Sequence, residues 1–209
     1  MMKTKDNMFK EIKLTKDLTI YTSKITNIDN SMLVKDFEYN CDISKQTAHT
    51  KYSPGIQSRI YIISKNIANL KNEVLKKIIS HFKLDKNYLI SYDDWVYISE
   101  STNNNAYYHD HIHDGNLIFT KEPPQWSLVY YAQMPNNLQG KDGQLTFKTK
   151  NDEEVSVLPE ENQIIMFPSD VLHKPELNKN STTKRIVLAT NITILDRNKK
   201  YIKETKTLL

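Results

Sequence analysis

Four of the six histidines in this chain, His109, His111, His113 and His173, are where metal chemistry can sit. The first three occupy the run Tyr108-His109-Asp110-His111-Ile112-His113-Asp114. If that run is extended, alternate side chains share a face. Three imidazoles then point the same way, which is crowded for a structural surface. Two imidazoles at i and i+2 are well placed to grip one ion, with a third ligand from elsewhere. His173 is the remaining good candidate, after the apolar stretch Met166-Phe167-Pro168. Twelve residues later Arg185 opens Arg185-Ile186-Val187-Leu188-Ala189-Thr190-Asn191. A buried arginine there calls for a carboxylate, because its planar fork binds one through two hydrogen bonds. Taken singly, each residue has a plain structural explanation. A lone histidine is usually a satisfied polar side chain, and Arg185 by itself would pair with a neighbouring acid. Three alternate histidines in one run tilt the reading to a metal.

The elements that must position these residues read as mainly β. From Asn66 to Phe82 the apolar residues Ile67, Leu70, Val74, Ile78 and Phe82 recur at intervals of three or four, which predicts a helix lying on the outside of a sheet. Strand-like patterns follow at 89–99, 106–113, 126–133, 144–148, 155–158, 163–167 and 185–195, the fourth after a Gly140-Lys141-Asp142-Gly143 turn. Residues 1–40 read as short β-like runs such as Leu18-Thr19-Ile20-Tyr21 with polar breaks, and 41–56 as a loop. Many short strands joined by turns predict a sandwich or jelly roll with flanking helices. No repeat or linker divides the chain. One domain is expected over 1–209, with the β core at about 88–196 and N-terminal strands and a helix beside it at 1–87.

Composition narrows the function class. Net charge is +4, with lysines spread along the chain, so no concentrated basic stripe marks a nucleic-acid interface, and the Lys-rich ends read as solubilising tails. Nucleic acid is therefore not expected as a partner. The single cysteine, Cys41, rules out an internal disulfide and a Cys-rich zinc module, which fits a reducing, cytoplasmic setting. The opening MMKTKDNMFKEIK has no apolar core of a signal peptide, and no apolar run approaches 18 residues, so no membrane partner is expected.

The order of the pieces resembles the 2-oxoglutarate/Fe(II)-dependent oxygenase superfamily, and within it a small uncharacterised bacterial and phage branch with an HxH first motif. The matching pieces are Trp95 in Asp94-Trp95-Val96-Tyr97, Tyr107-Tyr108 before His111-Ile112-His113, and Trp126-Ser127-Leu128-Val129-Tyr130-Tyr131 followed by Met134-Pro135. They continue with Gly143-Gln144-Leu145-Thr146-Phe147, Pro159, Ile165-Met166-Phe167-Pro168, His173, and Arg185 through Asn191. Together they cover roughly residues 60–195. The resemblance implies a double-stranded β-helix of the jelly-roll or cupin-like kind, Fe(II) held by two histidines and usually a carboxylate, O2 as oxidant, and an arginine anchoring the tail of 2-oxoglutarate. It also implies a hydroxylase acting on an unactivated C–H bond of a small-molecule or peptide substrate. Arg185 would be the anchor, with Tyr131 and Asn191 as further co-substrate contacts, and the segment 116–125, with Pro123-Pro124, part of the lid or substrate rim.

This chain departs from the superfamily pattern in two places. No Asp or Glu lies two residues after any clustered histidine, so the usual two-histidine, one-carboxylate triad is missing. Three readings remain open. The favoured one makes His111, His113 and His173 the ligands and leaves His109 outside the first shell. In another, His113-Asp114-Gly115 is an HxG motif like that of the iron halogenases, with chloride in place of the carboxylate. In the last, Asp110 or Asp114 binds iron after a bulge. The second departure is Val187, which stands where many members carry Ser or Thr two residues after the arginine. A tyrosine hydroxyl, Tyr131 first, is the expected substitute. A cupin-like metal-binding module without catalysis is the reading outside enzymes.

Overall fold

The computed structural model describes residues 8–44, 54–100, 102, 105–112 and 124–196. The elements run β1 (Lys10–Lys13), β2 (Thr19–Lys24), α1 (Asn30–Ser44), β3 (Ile56–Arg59), α2 (Lys65–Phe82), β4 (Tyr88–Ser99), β5 (Trp126–Gln133), β6 (Leu145–Lys148), β7 (Glu154–Val157), β8 (Gln163–Pro168), β9 (His173–Pro175) and β10 (Arg185–Asp196). Seven strands make one sheet in the order β1-β2-β8-β5-β10-β4-β3, and three make a second in the order β7-β6-β9. All the pairings are antiparallel. This is the two-sheet jelly roll that the strand pattern predicts.

Strand alternation sorts the large sheet into two faces. On β10, Ile186, Leu188 and Ile192 join a core built with Leu33, Phe37 and Cys41 of α1 and Ile67, Leu70, Val74 and Ile78 of α2. The intervening Arg185, Val187, Ala189 and Asn191 line a cavity between the sheets. A second core, with Tyr97, Tyr131, Leu145, Phe147, Ile165, Phe167 and Val187, glues the two sheets together. Helix α2 therefore covers the outer face, as its apolar stripe requires. Its N-terminus is capped by the Ser64 hydroxyl, which accepts from the Ile67 amide at 3.1 Å. Lys71 of α2 meets Asp94 of β4 at 2.6 Å, and the Thr190 hydroxyl of β10 donates to the same carboxylate at 2.8 Å, tying helix to sheet.

Several expectations are corrected. The segment expected as a strand over 106–113 has, among its described residues, one isolated bridge, His109 to His173. His173 does not end an apolar strand. Strand β8 stops at Pro168, the Val171 amide bonds back to Pro168 O at 3.2 Å, and His173 opens β9. Residues 30–40, expected among short β-like runs, and 41–44, expected in a loop, together form α1, whose buried positions Leu33, Phe37, Asn40 and Cys41 recur at helical spacing. The buried polar Asn40 interrupts that stripe because it serves the next loop: its Oδ1 accepts from the Tyr61 and Ile62 amides at 2.9 Å each. Strand β3 was not among the expected strands, and only its first residue, Ile56, falls in the expected loop. The strand docks on β4 through Gly55, where a Cβ would lie 2.6 Å from Ile98 O, so only glycine allows this approach. No helix among the described residues is long and apolar enough to cross a membrane.

Candidate active site

The segment carrying His109 and His111 is held by backbone bonds that change register. His109 and His173 exchange both amide bonds, at 3.1 and 2.9 Å, as an antiparallel hydrogen-bonded pair. A regular ladder would next set His111 against residue 171. The turn after Pro168 displaces that partner, and the His111 amide donates to Ser169 O at 2.9 Å instead. This slip folds the two rings in over His173. The ring centroids lie 5.2 Å apart for His109 and His111, 4.5 Å for His109 and His173, and 5.0 Å for His111 and His173.

The three imidazoles present one ligand nitrogen each within 4.8 Å of one another. His111 Nε2 and His173 Nε2 are 3.3 Å apart. His173 Nδ1 lies 2.9 Å from Val171 O and His109 Nδ1 lies 3.2 Å from Tyr107 O. If each Nδ1 carries the proton it donates to those carbonyls, Nε2 is left as a lone pair, the usual device for aiming a histidine at a metal. Burial first, then the neighbouring His109 and His111, push the His173 pKa well below the ordinary imidazole range, so the ring is held neutral as a metal ligand needs. Three close-packed imidazoles, the buried His173 ring among them, are a donor set that fits a divalent transition ion. Asp110 is not in this group. His113, Asp114, Gly115 and residues 116–123 lie outside the described residues.

The histidines face a cavity of about 420 Å³ between the sheets. Its axis follows from the register of β4 against β10, which sets Arg185 opposite Ser99, Ala189 opposite Trp95 and Asn191 opposite Asp93. At one end Arg185 is buried, 4% exposed, with its guanidinium 5.6 Å from the Tyr97 ring. Among the described residues no hydrogen bond reaches Arg185 Nε or Nη1, the Tyr131 hydroxyl or the Ser99 hydroxyl, all of them buried. Tyr131 pairs with Val187 and so stands beside Arg185 on this face. Burial pushes the Tyr131 pKa up to about 12 against the pull of Arg185, so its hydroxyl stays protonated and able to donate. A buried cation and two buried hydroxyls left without partners are costly. They mark a cradle for an anionic ligand group. Ser99, which sequence reasoning missed, places a buried hydroxyl opposite Arg185 on the neighbouring strand. Its only signal was a polar residue closing an apolar strand.

At mid-cavity the Trp95 ring packs 5.6 Å from His111. Asn191, six residues along β10 from Arg185, lies at the opposite end of the cavity, roughly 20 Å away along the strand. Its Oδ1 accepts from the Ser127 hydroxyl at 3.1 Å.

No protein-family sequence model matches the chain, and no curated protein matches it in sequence. Solved structures do match. A viral collagen prolyl hydroxylase of Paramecium bursaria Chlorella virus-1, determined with 2-oxoglutarate, superposes with a TM-score of 0.58 at 14% identity, covering 83% of this chain and 94% of its own. A non-haem α-ketoglutarate-dependent carbocyclase of nogalamycin biosynthesis gives a TM-score of 0.64 at 8% identity, over 86% and 81%. A Pseudomonas putida prolyl-4-hydroxylase gives 0.51 at 16% identity, over 82% and 91%. The chain has the double-stranded β-helix fold of these structures.

Proposed function

We propose that the protein is a mononuclear non-haem Fe(II)/2-oxoglutarate-dependent oxygenase that hydroxylates an unactivated C–H bond. The observation that carries this reading is one cavity holding both a converging histidine cluster and a buried, unpaired arginine. A metal-binding module without a keto acid has no use for that arginine. His109, His111 and His173 would hold the ion. An octahedral ion that gives two positions to a keto acid and one to O2 needs three protein ligands, which this cluster supplies. A three-histidine set also leaves no protein position vacated for a halide, which favours oxygen transfer over halogenation.

Bound iron supplies the activation of O2 that oxidises the keto acid and the substrate together. The balance is substrate C–H plus 2-oxoglutarate plus O2, giving substrate C–OH, succinate and CO2. The chain's own residues do the rest. Arg185 pairs with the distal carboxylate of 2-oxoglutarate, and the Tyr131 and Ser99 hydroxyls donate to the same group, fixing the keto acid end toward the histidines. The apolar walls, including Leu145, Phe167 and Val187, exclude water from the reacting end.

Arg185→Ala is the test. The variant should retain iron but lose roughly 2–4 kcal/mol of 2-oxoglutarate affinity, the scale for stranding one partner of a buried charged pair. Arg185→Lys should recover little, because lysine lacks the fork. Titration of iron-loaded protein with 2-oxoglutarate reads both, and an unchanged affinity in the alanine variant contradicts the proposal.

A further inference from the structure

The cavity has a second charged end that the keto acid does not use. Resting on the oxygenase reading, Arg185 and the histidines account for one half of the axis. Arg59 of β3 pairs with Trp95, and Asp93 of β4 lies beyond Trp95 on the side away from Arg185, both lining the cavity. Arg59 Nη1 lies 3.4 Å from the Asp93 carboxylate, with side chains 64% and 32% exposed. Gln57, two residues before Arg59, lines the same wall, and Asn191 faces Asp93 across the strands.

We propose that Arg59 and Asp93 read the two charges of a zwitterionic headgroup, so that the substrate is a free α-amino acid. Arg59 takes the carboxylate and Asp93 the ammonium. An exposed ion pair contributes little to stability, so a ligand that separates it gains two charge-assisted contacts at small cost. Charges of opposite sign side by side match a zwitterion better than a purely anionic or cationic substrate, which would meet repulsion from one of them. Cavity size agrees: about 420 Å³ lies at the low end for small-molecule sites, and the keto acid shares it. Asp93 lies two residues from Trp95 on the same face, roughly 7 Å along the strand, and Trp95 packs against His111. An amino acid spanning that distance presents a side-chain carbon to the histidines, not its α-carbon.

The test supplies iron- and ascorbate-loaded full chain with 2-oxoglutarate and each of the twenty free amino acids in turn, reading succinate release and product mass. We expect at least one to stimulate turnover and gain one oxygen on its side chain, with its Nα-acetyl and carboxamide forms at least tenfold weaker. Arg59→Gln should narrow the preference for carboxylate over carboxamide at least tenfold, and Asp93→Asn the preference for free over acetylated amine. These ratios do not move if a variant is merely less folded. No stimulation by any free amino acid, or equal use of the blocked forms, overturns the inference while leaving the oxygenase reading intact, provided the protein binds iron and 2-oxoglutarate. Failure to bind those two overturns both.

Discussion

At the scale of single residues, the choice of metal ligands turns on two atoms of backbone pairing. A regular strand would carry His109, His111 and His113 on one face and leave three equivalent candidates. The exchange of bonds between His109 and His173, followed by the shift of the His111 amide to Ser169 O, instead draws His109 and His111 together with His173. The account therefore expects His109→Ala, His111→Ala and His173→Ala each to lose most iron, because three ligands are the minimum around a keto acid and O2, whereas His113→Ala keeps it. Iron per chain after anaerobic loading and desalting measures this. Full iron in His109→Ala with none in His113→Ala would restore the set His111, His113 and His173. That His173 sits in a histidine cluster and that Arg185 and Tyr131 lie buried together follows from unusual residue types in apolar neighbourhoods. The position of His109 was not legible in the sequence, because a register slip depends on where the partner strand turns. The place of Ser99 was hidden because it is set only across a strand pairing, opposite Arg185.

At the scale of elements, the histidine-bearing segment has little secondary structure to hold it. Besides the bridge at His109 and the bond from the His111 amide to Ser169 O, side chains hold it. The Tyr108 hydroxyl donates to Glu154 of β7 at 2.7 Å, and Lys141 donates to the same carboxylate at 2.9 Å. The Lys174 and Lys148 ammonium groups sit 4.9 and 5.7 Å from the Tyr108 ring. The hydrogen bond from Tyr108, then that from Lys141, lowers the Glu154 pKa to about 2. A carboxyl lowered by folding contributes above its ordinary range and loses that contribution as pH falls toward 2. Tyr108→Phe should cost about 1 kcal/mol of stability at neutral pH and speed iron release from the neighbouring His109. The stability difference should shrink on acidification below about pH 4.5, where the carboxyl begins to be protonated in the unfolded chain. Denaturation of both proteins at neutral and acid pH checks this, and an equal difference at both would contradict the clamp. Strong periodic elements such as α2, β5 and β10 were readable along the chain. Helix α1 was masked by Asn40, which faces inward to serve a loop. Strands β3 and β9 are too short to carry a pattern, since their extended form is imposed by β4 and β6.

At the scale of the whole molecule, the two sheets set one long axis. Arg185, Ser99 and Tyr131 stand at one end, the histidines beside Trp95 at the middle, and Asp93, met by the Arg59 guanidinium, toward the other. The jelly roll itself was legible because its strands come in order with turn residues between them. Their sorting into a large and a small sheet was not, because β8 and β10 pair with strands far away in sequence. The central claim is that metal and keto acid share this axis. Anaerobic addition of Fe(II) and then 2-oxoglutarate to the metal-free protein, followed by visible absorption, tests it most directly. The account predicts a weak charge-transfer band from a chelated keto acid that saturates at one iron per chain, requires both additions, and is not produced by succinate. Iron binding with no such band at saturating 2-oxoglutarate would contradict it.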